Sequence, residues 1–88
     1  GEFTIAKFLY DNNISYLYEI KYPNSNKRCD FYLDEFGIYL EYTGMSKMKK
    51  FKDNYKEKEL FCINNNIKHI FSNNIENIKS EIKKIYGI

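Results

Sequence analysis

The chain has 88 residues with a net charge of +2, and 43% of them are apolar, 18% aromatic and 30% charged. This length predicts one domain with a small core, and the apolar content excludes an intrinsically disordered class. The sequence contains neither an apolar run near 18 residues nor a basic-then-apolar leader, which predicts a cytoplasmic domain over residues 1–88 without a membrane span.

The first residues, Gly1-Glu2-Phe3, replace the usual initial Met, so we interpret the chain as a domain excised from a longer protein. These three residues are either a native segment or a remnant of the expression vector. Glu2 is a native residue only in the first case. Cys29 and Cys62 are far apart and have no nearby His at metal-ligand spacing, which argues against a zinc site. One disulfide is conceivable but not expected.

Helical periodicity predicts a first helix over residues 3–11, where Ile5, Ala6, Phe8 and Leu9 approximate one face. Imperfect alternation predicts a strand over residues 16–22, which Pro23 ends.

Residues 30–33 and 38–42 form two runs rich in Tyr, Phe, Ile and Leu, and the link between them ends in Gly37. This pattern predicts a β-hairpin. With Glu35 and Phe36 at the centre of the turn, Leu33 lies opposite Ile38, and Asp30 lies opposite Glu41.

Asp30 and Glu41 would then share one face, with Cβ atoms roughly 4.5–5.5 Å apart, where like charges destabilise a sheet. A divalent cation held by both acids would offset the repulsion, and Mg²⁺ is usually held by one or two carboxylates together with substrate phosphates. Two alternatives stay open. The acids could point into water, or a one-residue slip of register could separate them.

Residues 48–64 are predicted to form a second helix with apolar positions at Phe51, Tyr55, Leu60 and Phe61. Residues 67–71 follow as a short strand. Ser72 or Asn73-Asn74 would cap a last helix with an apolar stripe of Ile75, Ile78, Ile82 and Ile85. The order α-β-β-β-α-β-α predicts an α/β fold with a four-stranded mixed sheet flanked by helices.

A basic stripe follows the hairpin, formed by Lys47, Lys49, Lys50, Lys52, Lys56 and Lys58. Such a stripe can contact a phosphate backbone, and it can equally be the solvated face of a helix with Glu57 and Glu59 interleaved. Under the first interpretation, Lys49, Lys50, Lys52 and Lys56 are the candidate nucleic-acid contacts.

The element order, with an Asp opening one strand and a Glu near the end of the next, resembles the restriction-endonuclease-like PD-(D/E)XK nuclease superfamily. The segments that carry the resemblance are YLYE at 16–19, RCDFYL at 28–33 and IYLEYTG at 38–44. They are similar to small nuclease domains found alone or attached to helicases of the UvrD and helicase IV kind.

The resemblance implies an Mg²⁺-dependent nuclease, with Mn²⁺ as a substitute metal, acting on DNA, with RNA not excluded. It implies that Asp30, Glu41 and the backbone carbonyl of Tyr42 bind the metal, with Glu2 as an additional helix ligand. It also implies that a lysine orients water or stabilises the transition state. A helicase domain in the same or a partner chain is the implied partner.

Two positions depart from the family pattern: Cys29 stands where a Pro often precedes the Asp, and Thr43 stands at the usual Lys position. In several subfamilies the Lys comes from the following helix, where Lys58 matches the pattern of a Lys four residues before Cys62, and Lys56 is the second choice. Three functions therefore stay open. They are an active nuclease, an inactive nucleic-acid binder with Lys58 as a surface residue, and a dimerisation or protein-interaction module.

Overall fold

The computed structural model describes residues 2–44 and 49–88, with the backbone alone for 49–53. Its elements are α1 (Glu2–Asp11), β1 (Leu17–Tyr18), β2 (Phe31–Leu33), β3 (Ile38–Tyr42), α2 (Lys49–Asn64), β4 (His69–Ser72) and α3 (Ile75–Tyr86). The four strands form one sheet in the order β1-β2-β3-β4. β1 to β3 are antiparallel, and β4 runs parallel to β3 after the α2 crossover. The predicted α/β class and element order are confirmed.

The hairpin has the predicted register. Phe31 pairs with Leu40, Tyr32 with Tyr39 and Leu33 with Ile38. The Gly37 N–H donates to the Leu33 carbonyl at 2.9 Å, and Gly37 adopts a φ of 68°, a left-handed conformation that glycine enters without a Cβ penalty.

The sheet buries both of its faces. On the α1–α3 face, helices α1 and α3 cover a core of Ile5, Leu9, Ile14, Phe31, Leu33, Ile38, Leu40, Ile70, Ile78 and Ile82. On the α2 face, helix α2 covers a smaller cluster of Tyr22, Cys29, Tyr39 and Cys62. Successive strand residues point to opposite faces, so Phe31 and Leu40 contribute to the first core and Tyr39 to the second. Both cysteines are buried free thiols.

Helix α3 follows its sequence prediction closely. The Asn74 side chain caps it by accepting a hydrogen bond from the Asn77 N–H at 3.1 Å, and Ile78 and Ile82 are fully buried. The last member of the predicted stripe, Ile85, stays partly exposed.

The predicted strand over residues 16–22 is wrong in extent, because β1 contains only Leu17 and Tyr18. The cause is Glu19, which adopts a φ of 50°, a left-handed conformation that interrupts a strand. Beyond Glu19, the chain pairs with the segment before β2 through an isolated bridge between Lys21 and Arg28 and through the backbone hydrogen bonds that flank it.

This interruption changes which face the chain presents. In a regular strand, Tyr18 and Tyr22 would point to the same face, because side chains alternate with a period of two. Here Tyr18 packs on Phe31 of the α1–α3 face, with ring centroids 5.3 Å apart. Tyr22 instead stacks on Tyr39 of the α2 face at 4.6 Å. The irregularity at Glu19 therefore delivers Tyr22 to the α2 face.

Helix α2 confirms the predicted span but corrects its apolar stripe. Leu60 is 57% exposed, whereas Cys62, two positions later, is fully buried. Phe51 lies outside the residues whose side chains are described. Within the described part of the chain, no helix is both long and apolar enough to cross a lipid bilayer.

Candidate functional site

The two acids of the predicted hairpin both lie toward the α2 face. Asp30 directly precedes β2 and is half-buried, and Glu41, in β3, is 0% exposed. The alternative in which both acids point into water is therefore wrong for Glu41. The strand ladder ends at the pair Phe31–Leu40, and Asp30 contacts β3 through its side chain, because Asp30 Oδ2 accepts a hydrogen bond from the Tyr42 N–H at 2.9 Å.

Asp30 lies in a poorly solvated and negatively charged environment. Burial is the largest influence on its carboxyl group, followed by repulsion from Glu41, and together they raise the pKa of Asp30 to about 7. The Tyr42 N–H acts in the opposite direction, whereas hydrogen bonding and repulsion from the Glu2 carboxyl raise the pKa further. Glu2 therefore lies near Asp30, although its own side chain is largely exposed.

The two oxygens of the Glu41 carboxylate differ in their partners. Oε2 accepts hydrogen bonds from Lys58 Nζ at 2.9 Å and from Tyr22 Oη at 3.2 Å. Oε1 is buried and has no hydrogen-bond partner among the described residues. Burial raises the pKa of Glu41, while Lys58 and Tyr22 oppose that rise. Half of this buried carboxylate thus lacks the partner that buried polar atoms normally have.

Helix α2 carries Lys58 into the site. The Lys58 side chain is only 11% exposed, so its interpretation as one more surface lysine is wrong. Its ammonium group also donates to the Arg28 carbonyl at 2.8 Å and lies 5.6 Å from the centre of the Tyr55 ring. One residue earlier, Glu57 forms a solvent-exposed ion pair with Lys27 at 2.6 Å.

Thr43, which the resemblance aligns with the family lysine, follows β3 and is half-buried. Its N–H donates to the Ser72 carbonyl at 2.8 Å, which continues the parallel pairing of β3 with β4. The positive charge at Glu41 comes from Lys58 of the following helix, as the sequence pattern predicted.

Two site residues were not predicted from the sequence. Tyr22 was assigned to a strand, and only the interruption at Glu19 directs it toward Glu41. Tyr55 was predicted as a core position of α2, but burial and the nearby charges of Asp30, Glu41 and Glu2 raise its pKa. One signal for Tyr55 was available, since it lies one helical turn before Lys58 and therefore on the same side of the helix.

The site offers oxygen ligands that suit a hard divalent cation. Asp30 and Glu41 supply carboxylates, and the unpartnered Oε1 atom of Glu41 would gain a partner in a bound cation. Among the described residues, no group of three or more His, Cys, Asp or Glu side chains is arranged to hold a metal ion. The residues present therefore fit a cation held by two carboxylates and completed by backbone oxygen, water or substrate.

Three of the four predicted nucleic-acid contacts, Lys49, Lys50 and Lys52, lie outside the residues whose side chains are described. Lys56 is exposed on α2 and lines a cavity beside the site.

Comparisons with models of protein families, with curated proteins and with solved structures found no match to this chain. The fold and the site define its class. It is a small α/β domain that buries a carboxylate and a tyrosine on one face of a mixed sheet, beside a lysine that is mostly shielded from solvent.

Proposed function

We propose that this domain is a metal-dependent nuclease with a restriction-endonuclease-like core of the PD-(D/E)XK type, which hydrolyses phosphodiester bonds in DNA. One observation carries the proposal. The buried Glu41 carboxylate accepts a hydrogen bond from Lys58 through one oxygen, and its other oxygen has no partner among the described residues; a second acid, Asp30, lies next to it.

Charge balance supports a cation at this site. Lys58 can neutralise one carboxylate, but Asp30 and Glu41 together offer up to two negative charges that are shielded from water. Burying uncompensated charge is costly, and the cost falls when a charge is paired or coordinates a metal. A divalent cation between Asp30 and Glu41 would supply the missing compensation.

When bound, Mg²⁺ or Mn²⁺ would lower the pKa of a coordinated water and stabilise negative charge on the phosphoryl group. Asp30, Glu41 and the Tyr42 carbonyl would hold the cation, while Glu2, the additional ligand implied by the resemblance, stays near Asp30 as an exposed carboxyl group. The ammonium group of Lys58 would orient the attacking water or stabilise the phosphoryl oxygens, where preorganised positive charge has its largest effect. The water oxygen would bond to phosphorus and release a proton to solvent, while the bond to the departing oxygen breaks and that oxygen takes up a proton from solvent.

Cleavage of labelled single-stranded and duplex DNA with Mg²⁺ or Mn²⁺ tests this proposal. Asp30→Asn and Glu41→Gln should each lower the rate at least about 100-fold, as should Lys58→Gln. Glu57→Gln is the matched control. Glu57 lies on the exposed side of the helix that carries Lys58, and its carboxylate pairs with Lys27. Equal cleavage by the wild type and by a folded Asp30→Asn variant would refute the assignment.

Calorimetric titration with Mg²⁺ and Mn²⁺ separates metal binding from chemistry. Asp30→Asn and Glu41→Gln should lose binding, whereas Lys58→Gln should retain it while losing cleavage. Metal binding without cleavage by the wild type would favour the second candidate, an inactive nucleic-acid binder, which is motivated by Thr43 at the usual lysine position. Absence of metal binding by the folded wild type would overturn both the metal site and the nuclease.

A further inference from the structure

A cavity of about 270 Å³ lies at the carboxyl ends of the parallel strands β3 and β4. Thr43 follows β3 and Asn73 follows β4, and helix α2 closes a third side. The described residues that line the cavity are Thr43, Tyr55, Lys56, Glu59, Phe71 and Asn73. In open α/β sheets, ligands bind in the crevice outside the carboxyl ends of the strands, which is the position of this cavity.

Two residues connect the cavity to the acids. Phe71 is the direct register partner of Glu41 in the β3–β4 ladder, so the two side chains lie side by side on the α2 face. Tyr55 lines the cavity as well, its ring lies 5.6 Å from Lys58 Nζ, and it is close enough to Asp30 and Glu41 to sense their charge. A molecule in the cavity would therefore be adjacent to the phosphate held at the acids.

The residues that line the cavity combine aromatic rings with hydrogen-bond donors and hydrogen-bond acceptors. The half-buried rings of Tyr55 and Phe71 offer stacking surface. Glu59 offers acceptors, and Asn73 offers a donor and an acceptor. Lys56 adds an exposed ammonium group at the rim. This combination matches a nucleotide, whose base has π faces and a polar edge and whose phosphate is anionic.

We propose that this cavity binds the base of one unpaired nucleotide adjacent to the phosphate that is cleaved. The inference rests on the proposed nuclease function and specifies its substrate class. A base inside a duplex cannot enter the cavity without leaving its stack, which costs a few kcal/mol. The preferred substrate is therefore a strand that is unpaired at the cleavage position, such as a single strand or a frayed end.

Binding is tested first, without cleavage. The Asp30→Asn variant of the whole chain is titrated with thymidine 5′-monophosphate and with the tetranucleotide of thymidine, and amide NMR signals are followed. We expect shifts centred on the Asn73 side-chain amide and the Thr43 backbone amide. Adding Phe71→Leu should weaken tetranucleotide binding about fivefold or more, because it removes an aromatic ring on which the base stacks. Adding Asn73→Ala should weaken it about threefold, because it removes an amide that hydrogen-bonds the edge of the base.

The matched control is Asn26→Ala, which removes an exposed asparagine that does not line the cavity. It should leave the affinity unchanged. Thermal unfolding of each variant verifies that the fold is retained, and Asn73→Ala, at an exposed position, keeps the test valid if Phe71→Leu fails to fold. Shifts spread evenly over the surface, or equal affinity for Asn26→Ala and Asn73→Ala, would overturn the proposal.

Cleavage then tests the substrate class. With Mg²⁺, the wild type should cleave a single strand with a higher kcat/KM than the blunt duplex of the same sequence, and Asn73→Ala should reduce that preference. Metal affinity should not change in Asn73→Ala. Cleavage that is insensitive to Asn73→Ala and Phe71→Leu would remove the subsite and leave the nuclease. Nucleotide binding at Asn73 without cleavage would remove the nuclease and leave the subsite.

Discussion

The α1–α3 face and the α2 face of the sheet bury side chains to the same depth but of different chemistry. On the α1–α3 face the fully buried side chains of β2 and β3 are apolar, as in Phe31, Leu33 and Leu40. On the α2 face the fully buried side chain of β3 is the carboxylate of Glu41. Among the described residues, Glu41 is also the one buried charged side chain in the molecule.

This difference suggests that the α1–α3 face mainly stabilises the fold and that the α2 face carries the chemically active groups. Apolar burial contributes about 25 cal/mol per Å², whereas a buried carboxylate needs partners to offset the loss of its hydration. The α2 face provides Lys58 and Tyr22 for one oxygen of Glu41 and leaves the other without a described partner. We therefore expect substitutions on the α1–α3 face to act on stability, and substitutions on the α2 face to act on pH dependence and metal response.

The largest effect on stability is expected from Leu40→Ala on the α1–α3 face. Leu40 is fully buried in the centre of the sheet, so the truncation leaves a cavity and should lower the free energy of unfolding by about 2–5 kcal/mol. Urea denaturation monitored by circular dichroism measures the change. Leu17→Ala, at an exposed position of β1, is the control. Similar losses in both variants would contradict this assignment of the core.

Next in size is the effect of Lys58→Met in metal-free protein. It leaves the buried Glu41 carboxylate without its cation, and breaking a buried pair in this way costs about 3 kcal/mol. The double variant Lys58→Met/Glu41→Gln should recover most of the loss, because no buried charge remains.

Lys27→Met is the matched control for Lys58→Met. It removes a lysine whose ion pair with Glu57 is exposed to solvent, where salt bridges contribute little. Urea denaturation in the presence of a chelator measures all three variants. A loss for Lys27→Met as large as that for Lys58→Met would show that the burial of the Lys58 pair is energetically unimportant.

A smaller effect is expected from pH. The pKa of Asp30 in the folded protein, about 7, lies above its ordinary value of 3.8. Between these two pH values the Asp30 carboxyl is protonated in the folded state and ionised in the unfolded state. Stability is therefore highest below about pH 4 with respect to this group, and it falls as the pH rises toward 7. After allowance for partial solvation, the decrease should be about 1–2 kcal/mol.

Urea denaturation at a series of pH values between 4 and 8, with chelator present, measures this decrease. Asp30→Asn should flatten the profile, because the amide does not titrate. Added Mg²⁺ should restore stability above pH 7 in the wild type and not in Asp30→Asn. An unchanged slope in Asp30→Asn would assign the pH dependence to other groups.

The smallest effect is expected at the edge of the α1–α3 face, at the cap of α3. Asn74→Ala removes the acceptor for the Asn77 N–H and should lower the free energy of unfolding by about 1 kcal/mol. Ser80→Ala, at an exposed position within the same helix, should have almost no effect. A loss comparable to that of Leu40→Ala would mean that the cap does more than complete the helix.

Periodic patterns in the sequence were sufficient for most of the fold. Alternation in residues 30–33 and 38–42, with a glycine at the end of the link, predicted the hairpin register, and spacing of isoleucines predicted α3. These features depend on neighbours close along the chain, where local propensity and the burial pattern favour the same structure. The same register brought Asp30 and Glu41 toward one face.

Local pattern was insufficient where a residue's role depends on contacts far along the chain. Glutamate is not a residue type that favours a left-handed conformation, so the conformation of Glu19 could not be predicted. Neither the early end of β1 nor the position of Tyr22 beside Glu41 could therefore be predicted. Leu60 fits the predicted apolar stripe but is exposed, because the packing of α2 on the sheet buries Cys62, two positions later, instead.

The sequence by itself determined the element order, the hairpin register and the placement of two acids toward one face, since each follows from spacing along a short segment. Only the tertiary structure decided how deeply Glu41 is buried, which of its oxygens Lys58 and Tyr22 occupy, and that a cavity lies beside them. Those properties depend on how α2 and the irregular segment after β1 pack on the same face of the sheet. Residues that are distant in sequence together exclude water from Glu41, so no pattern within a short segment can predict its burial.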